Sequence, residues 1–104
     1  MTTKHLLLDR QRGEFVTGVL TLPGFKYDIG AQLMSPMAGE QATVELESTN
    51  DGFDWTSVAT FTLDNATEVT ASQVYIEADN VRARILKGGL VGTPAVTLWL
   101  KQVD

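Results

Sequence analysis

The sequence predicts an all-β protein: a single antiparallel β-sandwich, of the jelly-roll or immunoglobulin-like kind, with about eight short strands in one domain, residues 1–104. The strongest signal is residues 43–63, where two runs of alternating apolar and polar residues flank an Asn50-Asp51-Gly52 turn. Turn residues also recur between all the short segments of the chain, and no segment of useful length has helical periodicity.

The first run of that hairpin shows why it is predicted to be a strand. Val44 and Leu46 share one face while Glu45 and Glu47 share the other. This period-two pattern is typical of a strand with one buried face and one solvent-exposed face. A β-sandwich follows from this pattern more naturally than a helical bundle.

The same reasoning, applied in chain order, predicts the remaining strands. Pro23-Gly24 is expected to end the long second strand, because proline cannot donate to a ladder. Asp79-Asn80 is short enough to form a tight hairpin between the sixth and seventh strands. The predicted strands are residues 4–8, 14–22, 28–34, 42–48, 55–63, 74–78, 81–87 and 95–102.

Alternation also predicts the core. The candidate inward-facing residues are Val44, Leu46, Ala59, Phe61, Leu63, Val74, Ile76, Val81, Ala83, Ile85, Val96, Leu98 and Leu100. In the second strand both faces are apolar, so either Phe15 with Val19 or Val16 with Leu20 completes the core. That ambiguity suggests a strand that is covered on both sides.

Length and composition limit the function classes. A chain of 104 residues forms one domain, and its lack of cysteine excludes disulfides and thiol chemistry and fits a reducing cytoplasm. Only three consecutive leucines, Leu6-Leu7-Leu8, stand near the N-terminus, far short of a signal peptide or a membrane span. We therefore expect a soluble, unprocessed protein with no membrane partner.

The charge is unevenly distributed. Between Glu40 and Asp79 there are nine acidic residues and no lysine or arginine, within a net charge of −5. An acidic middle repels phosphate backbones, so nucleic-acid binding is disfavoured, although Arg82 and Arg84 form a small basic patch. The same asymmetry suggests either a solvated acidic face or head-to-tail complementarity between neighbouring copies.

The turn at residues 50–55 raises the question of a calcium loop. The segment lacks the oxygen ligands and the distant glutamate that such a loop needs, so a purely structural turn is favoured. Trp55 is then expected to cap the hairpin or to plug one end of the core.

No enzyme is predicted. His5 is the only histidine, which leaves no second imidazole ligand and no catalytic triad. Glu45 and Glu47 are about 7 Å apart on one strand face, a spacing found in inverting glycosidases. In so small a domain, a solvated strand face is the favoured interpretation, and no cofactor or metal is expected.

Two groups of apolar residues are candidates for binding. Phe25, Tyr27, Tyr75 and Trp99 are rings able to line a sugar-stacking surface. Tyr75 and Trp99 are also out of phase with the core, and Leu90 and Val91 lie in a glycine-rich loop. An outward tryptophan covers a second small cluster, lies in a subunit interface or contacts a ligand, ranked in that order. The hypothesis that follows for the interface is Tyr75, Leu90, Val91 and Trp99.

The order of segments resembles small structural proteins of tailed bacteriophages. The likeness covers most of residues 13–101. It is carried by Ser48, Asp51, Gly52 and Trp55 of the hairpin, by Val81-Arg82-Ala83-Arg84, and by Gly92-Thr93-Pro94. The resemblance implies a non-enzymatic virion protein, either a capsid decoration protein or a tail or head-tail accessory. Its partners would be its own copies and other virion proteins, and its location would be the virion, assembled in the cytoplasm of a bacterial host.

The hairpin also resembles that of galactose-binding jelly-roll modules, which implies a carbohydrate-binding adhesion module with a surface glycan as its partner. This alternative ranks second, because the chain is shorter than those modules and lacks their cluster of basic or aromatic loop residues.

Overall fold

The computed structural model of the protein describes residues 4–22 and 25–103. The regular structure of the described residues is strand, apart from one short 3-10 helix, residues Lys87–Gly89. The strands are β1 (Lys4–Arg12), β2 (Phe15–Val16), β3 (Leu20–Thr21), β4 (Lys26–Met34), β5 (Ala42–Thr49), β6 (Thr56–Leu63), β7 (Val69–Tyr75), β8 (Asn80–Ile85) and β9 (Ala95–Gln102).

The strands form two packed antiparallel sheets. The first sheet has the order β1-β9-β4-β7, and the second has the order β2-β8-β5-β6 with β3 also pairing with β8. If β2 and β3 are counted as one strand, the chain has eight strands, and they can be renumbered 1 to 8 in chain order. The first sheet then has the order 1-8-3-6 and the second the order 2-7-4-5, which is the order of an eight-stranded jelly roll. The predicted all-β sandwich is thus confirmed, and of its two predicted kinds the jelly roll is correct.

The β5–β6 hairpin has the predicted form. Val44 pairs with Phe61 and Leu46 with Ala59, so the apolar residues of both strands share the inner face. A register shift follows Leu46, where β6 contains one extra residue.

The core lies between the two inner faces. All thirteen predicted core residues face it, although Ala59 and Val74 are only partly buried at its margin. The predicted core did not include any residue of β4, although four of them are part of it. Tyr27, Ile29, Ala31 and Leu33 have no exposed surface and form the middle of the first sheet's inner face.

The prediction of one continuous second strand, residues 14–22, is wrong, because the structure has two short strands there, β2 and β3. Thr17 interrupts the ladder between β2 and β3: its N–H donates to the Ala83 carbonyl, and its hydroxyl accepts from the Ala83 N–H. Phe15, Val16 and Val19 are exposed and Leu20 is half-buried. Leu20 alone packs against the core, so neither predicted pair completes it, and no described element covers the outer side of this edge strand. The Pro23-Gly24 break lies outside the described residues.

The predicted hairpin at Asp79-Asn80 is also wrong. β7 ends at Tyr75 and belongs to the first sheet, whereas β8 belongs to the second, so residues 76–79 cross from one sheet to the other. Ile76 and Ala78 remain buried during this crossing, which preserves the alternating pattern without a strand.

Within residues 4–22 and 25–103, no helix is long and apolar enough to cross a membrane.

Candidate functional site

Trp99 lies on the outer face of the first sheet, as its phase predicts. It is on β9 between Leu6 of β1 and Gly30 of β4, and its indole packs directly over the backbone of Gly30. A Cβ at position 30 would occupy the space of the indole ring. Glycine is therefore required here for a steric reason, because it lets a large ring lie flat against the sheet.

Two polar contacts fix the indole in this position. Its Nε1–H donates to Glu68 Oε2 at 2.9 Å, and the Lys4 Nζ lies 4.3 Å from the ring centroid. The first is a charge-assisted hydrogen bond, and the second is a cation–π contact. Trp99 is consequently half-buried and rigidly held, with β1 and β4 on either side.

The surface around Trp99 combines an apolar centre with lysines. Leu6, the direct neighbour of Trp99, is 57% exposed. Two residues further along β9, Lys101 points to the same side as Trp99. It pairs with Lys4 of β1 on one side and with Asp28 of β4 on the other. We call this surface the Trp99 face and define it by the outward residues Lys4, Leu6, Lys26, Asp28, Trp99 and Lys101.

Tyr75 also points away from the core, at the end of the edge strand β7. It is 63% exposed and stacks on Phe25, with ring centroids 6.0 Å apart and an interplanar angle of 19°. Tyr27 does not join these rings, because it has no exposed surface. The predicted sugar-stacking set of four aromatics is therefore wrong in including Tyr27, and Phe25 with Tyr75 forms a separate exposed pair.

Leu90 and Val91 lie elsewhere. Leu90 packs against the core after the 3-10 helix, while Val91 is exposed and forms an isolated antiparallel bridge with Gln41. Tyr75 and Trp99 therefore share the outer face of the first sheet, whereas Leu90 and Val91 lie in a loop away from it. Sequence phase separates inward from outward residues within a strand, but it does not show how a loop folds back over the sandwich.

A buried ion pair on the outer face of the second sheet is a feature that the sequence reading missed. Glu47 is only 6% exposed, and its Oε1 accepts from the Arg82 Nε at 2.9 Å, with Arg84 Nη1 3.5 Å from Oε2. The Arg82 guanidinium lies 4.0 Å from the Trp55 ring centroid. The expected solvated face is thus wrong for Glu47, and Trp55 covers Arg82 and is not part of the core.

Glu45, on the same outer face as Glu47, has its pKa raised above the ordinary value. The main cause is partial burial, which disfavours the charged form, and the neighbouring Glu47 carboxylate adds to the effect. Arg84, which pairs with Glu45 across the strands, acts in the opposite direction. Of the two carboxylates, Glu47 is held by Arg82 and Arg84.

The Asp51 turn has the structural role that its sequence predicts. Its Oδ1 accepts from the backbone N–H groups of Phe53 and Asp54 and from the Thr49 hydroxyl. These hydrogen bonds stabilise the carboxylate and lower the pKa of Asp51 to about 2. Gly52 adopts a φ of 83°, a left-handed conformation that glycine accepts without strain.

A cleft opens between the β5–β6 hairpin, at its turn end, and residues 75–78, where the chain leaves β7 and crosses to the second sheet. It consists of two adjoining cavities of about 300 and 220 Å³, which share Ser48, Thr56 and Glu77. We call it the β6–β7 cleft. Its walls are Ser48, Thr49, Asn50, Asp51, Asp54, Thr56, Ser57, Val58, Tyr75, Ile76, Glu77 and Ala78.

These surfaces differ in what they can do chemically. Within the described residues, no three His, Cys, Asp or Glu side chains are placed to hold a metal ion. The Trp99 face offers a rigid aromatic surface to a macromolecule, whereas the β6–β7 cleft offers hydroxyls and carboxylates to something small.

No protein-family model matches the chain, and no curated protein matches it. Among solved structures, the PBSX exported protein XepA superposes with a TM-score of 0.64 at 13% identity, over 98% of this chain and 38% of that chain. The present chain thus spans well under half of XepA.

Two further solved structures resemble the chain. The Yersinia pseudotuberculosis-derived mitogen gives a TM-score of 0.53 at 15% identity, over 100% of this chain and 87% of that chain. A CBM32 module from Clostridium perfringens, in complex with GalNAc-β-1,3-galactose, gives a TM-score of 0.48 at 14% identity, over 93% of this chain and 94% of that chain. At these identities the chain shares a β-sandwich fold with XepA and the mitogen.

Proposed function

We propose that this protein is a non-enzymatic structural component of a phage virion, either a capsid decoration protein or a tail or head-tail accessory. It would act by binding copies of itself and the surface of the particle. The fold likeness to a phage protein supports this assignment, as does the order of segments in the sequence. The observation that carries it is the Trp99 face.

The Trp99 face has the properties of a protein-binding surface. Large aromatic residues and exposed aliphatic neighbours are typical of the centre of such surfaces, with charged residues around them. Here the rigid Trp99 indole and the exposed Leu6 form the centre, and the lysines form the rim. Because Glu68 and Lys4 already hold the indole, little side-chain entropy is lost when a neighbour covers it.

Charge indicates that the neighbour is a second copy of the chain. The Trp99 face carries three lysines against one aspartate, apart from the Glu68 that binds the indole. Residues 40–79 carry nine acidic side chains and no basic one. Glu47 is paired with Arg82 and Arg84, and Glu68 binds the Trp99 indole, so the other seven carboxylates lie outside the Trp99 face and are not used in these contacts. Opposite charges on two different surfaces favour a head-to-tail contact, which closes into a ring or extends into a larger array.

The proposed partners are therefore protein surfaces, in a virion assembled in a bacterial cytoplasm, with no role for nucleic acid or a membrane. An acidic middle segment disfavours phosphate backbones, and a head-to-tail array needs no ligand or cofactor to hold it.

The test compares two variants that each remove an exposed aliphatic side chain. Leu6→Gln alters the Trp99 face, whereas Val19→Gln alters the edge between β2 and β3, and the two residues are 57% and 60% exposed. Light scattering should show an oligomer for the wild type and for Val19→Gln, and a smaller mass for Leu6→Gln. Equal masses for the two variants would reject the Trp99 face as the contact.

A further inference from the structure

The β6–β7 cleft has an aromatic wall. Tyr75 contributes a ring that is 63% exposed, and Phe25 supports it by stacking. The Tyr75 hydroxyl has no hydrogen-bond partner among residues 4–22 and 25–103. Sugars present flat apolar faces with hydroxyls at their edges, so a supported, exposed tyrosine suits them as a binding platform.

Ser48 provides the second observation. This residue is on the core side of β5 and is only 8% exposed, yet its hydroxyl makes no hydrogen bond in the structure. None of the fully buried polar side-chain atoms in the described chain lacks a partner. The Ser48 oxygen therefore reaches the cleft, where it is available to a ligand.

The other polar groups of the cleft are also free to bind. Thr56 pairs with Ser48 across the strands, and Glu77 faces both from the crossing segment. Neither these side chains nor the Asp54 carboxylate makes a hydrogen bond to another residue that the structure describes. Asp51 is different, because its carboxylate is used in the turn.

The charge of the cleft restricts the ligand. Three carboxylates line it and no lysine or arginine does, so phosphates, uronic acids and sialic acids are disfavoured. Neutral hydroxyl groups suit it better, because carboxylates and serine or threonine hydroxyls pair readily with them. The two cavities together have a volume typical of small-ligand sites, ~300–1,000 Å³.

We propose that the β6–β7 cleft binds an uncharged pyranose unit of a surface glycan. The sugar packs against Tyr75, and its hydroxyls bind Ser48, Thr56 and Glu77. This site borders the Trp99 face, because Tyr75 pairs with Lys26 across β4 and β7, but it contains neither Trp99 nor Leu6 and does not depend on assembly of the protein. It would give a particle component a means of holding the carbohydrate of a cell surface.

The test is a titration of the ¹⁵N-labelled protein with lactose, maltose and N,N′-diacetylchitobiose, followed by NMR. At least one sugar should shift the amide signals of Ser48, Thr56 and Glu77. Tyr75→Ala should weaken that binding about tenfold, and Ser48→Ala about threefold to tenfold.

Phe53→Ala is the matched control, because Phe53 is an aromatic residue that is 87% exposed and does not line the cleft. It should bind the sugar as the wild type does. Leu6→Gln should also bind normally even if it no longer assembles, which separates this proposal from the proposed function.

Three outcomes would overturn the proposal. One is the absence of any shift at tens of millimolar sugar, and another is unchanged binding by Tyr75→Ala and Ser48→Ala. The third is binding of a lysine-rich peptide but of no sugar, which would assign the cleft to a basic segment of a protein partner.

Discussion

Gly30 lies beneath the indole of Trp99, and the two residues pair directly across β4 and β9. This contact determines the shape of the Trp99 face, because the ring can lie flat only where the neighbouring strand has no side chain. The surface through which we propose that the protein assembles therefore depends on a glycine inside a buried strand.

Gly30→Ala should destabilise the protein and displace Trp99. The new methyl group would overlap the indole, and overpacking of this kind costs about 1–3 kcal/mol. Urea denaturation should show the loss in the free energy of unfolding. Trp99 fluorescence should shift towards that of a more exposed indole.

Gly88→Ala is the control for this substitution, because a Cβ at position 88 meets nothing within 4 Å. Its unfolding midpoint should stay close to that of the wild type. In a Trp99→Ala background the cost of Gly30→Ala should largely disappear. An undiminished cost there would show that the strain arises somewhere other than the indole.

Glu47→Gln should lower the stability of the second sheet. The carboxylate accepts from Arg82 while almost completely buried, and a hydrogen bond to a charged group is worth about 1.5–3 kcal/mol. Glutamine keeps an oxygen that can accept from Arg82 but removes the negative charge, so part of this stabilisation is lost and Arg82 has no counter-ion at this position. Chemical denaturation at pH 7 measures the change.

Glu45→Gln is the matched control, on the same strand face and two residues away. Because burial raises the pKa of Glu45, its charged form is disfavoured in the folded protein, and neutral glutamine removes that cost. Its stability at pH 7 should be unchanged or slightly higher. A loss as large as that of Glu47→Gln would contradict the different roles assigned to the two carboxylates.

Asp51 should contribute to the loss of stability in acid. Its pKa is lowered from the ordinary 3.8 to about 2, so the folded state binds its proton less readily than the unfolded state. The stabilisation is therefore present above about pH 4 and is lost as the pH falls towards 2. Unfolding free energies measured between pH 2 and pH 6 should decline less steeply in Asp51→Asn.

Asp79→Asn provides the comparison, because Asp79 is exposed and its side chain makes no hydrogen bond. This variant should retain the acid dependence of the wild type. If Asp51→Asn and the wild type lost stability in parallel, the turn hydrogen bonds would not be the source of the effect.

The sequence predicted correctly those elements that are specified by neighbouring residues, such as a turn and the alternation on either side of it. The β5–β6 hairpin follows from its own turn and alternation, and the outward direction of Trp99 follows from the burial of Leu98 and Leu100. Such features depend on period-two geometry, which any strand of a half-buried sheet must obey.

Features that depend on distant contacts were not predictable in this way. Residues 76–79 alternate like a strand, but they cross between the sheets, and alternation reports burial rather than pairing. The burial of Glu47 depends on Arg82, which is 35 residues away in sequence. The β6–β7 cleft likewise arises only when the β5–β6 hairpin and the crossing segment, which are distant in sequence, come together.

Sedimentation velocity over a range of protein and salt concentrations tests the central claim most directly. If copies associate through the Trp99 face and an acidic surface, the sedimentation coefficient should rise with protein concentration at low salt. It should fall as salt screens the charges. Lys101→Glu should weaken the association at every salt concentration. A single 11.3 kDa species under all conditions would contradict the account.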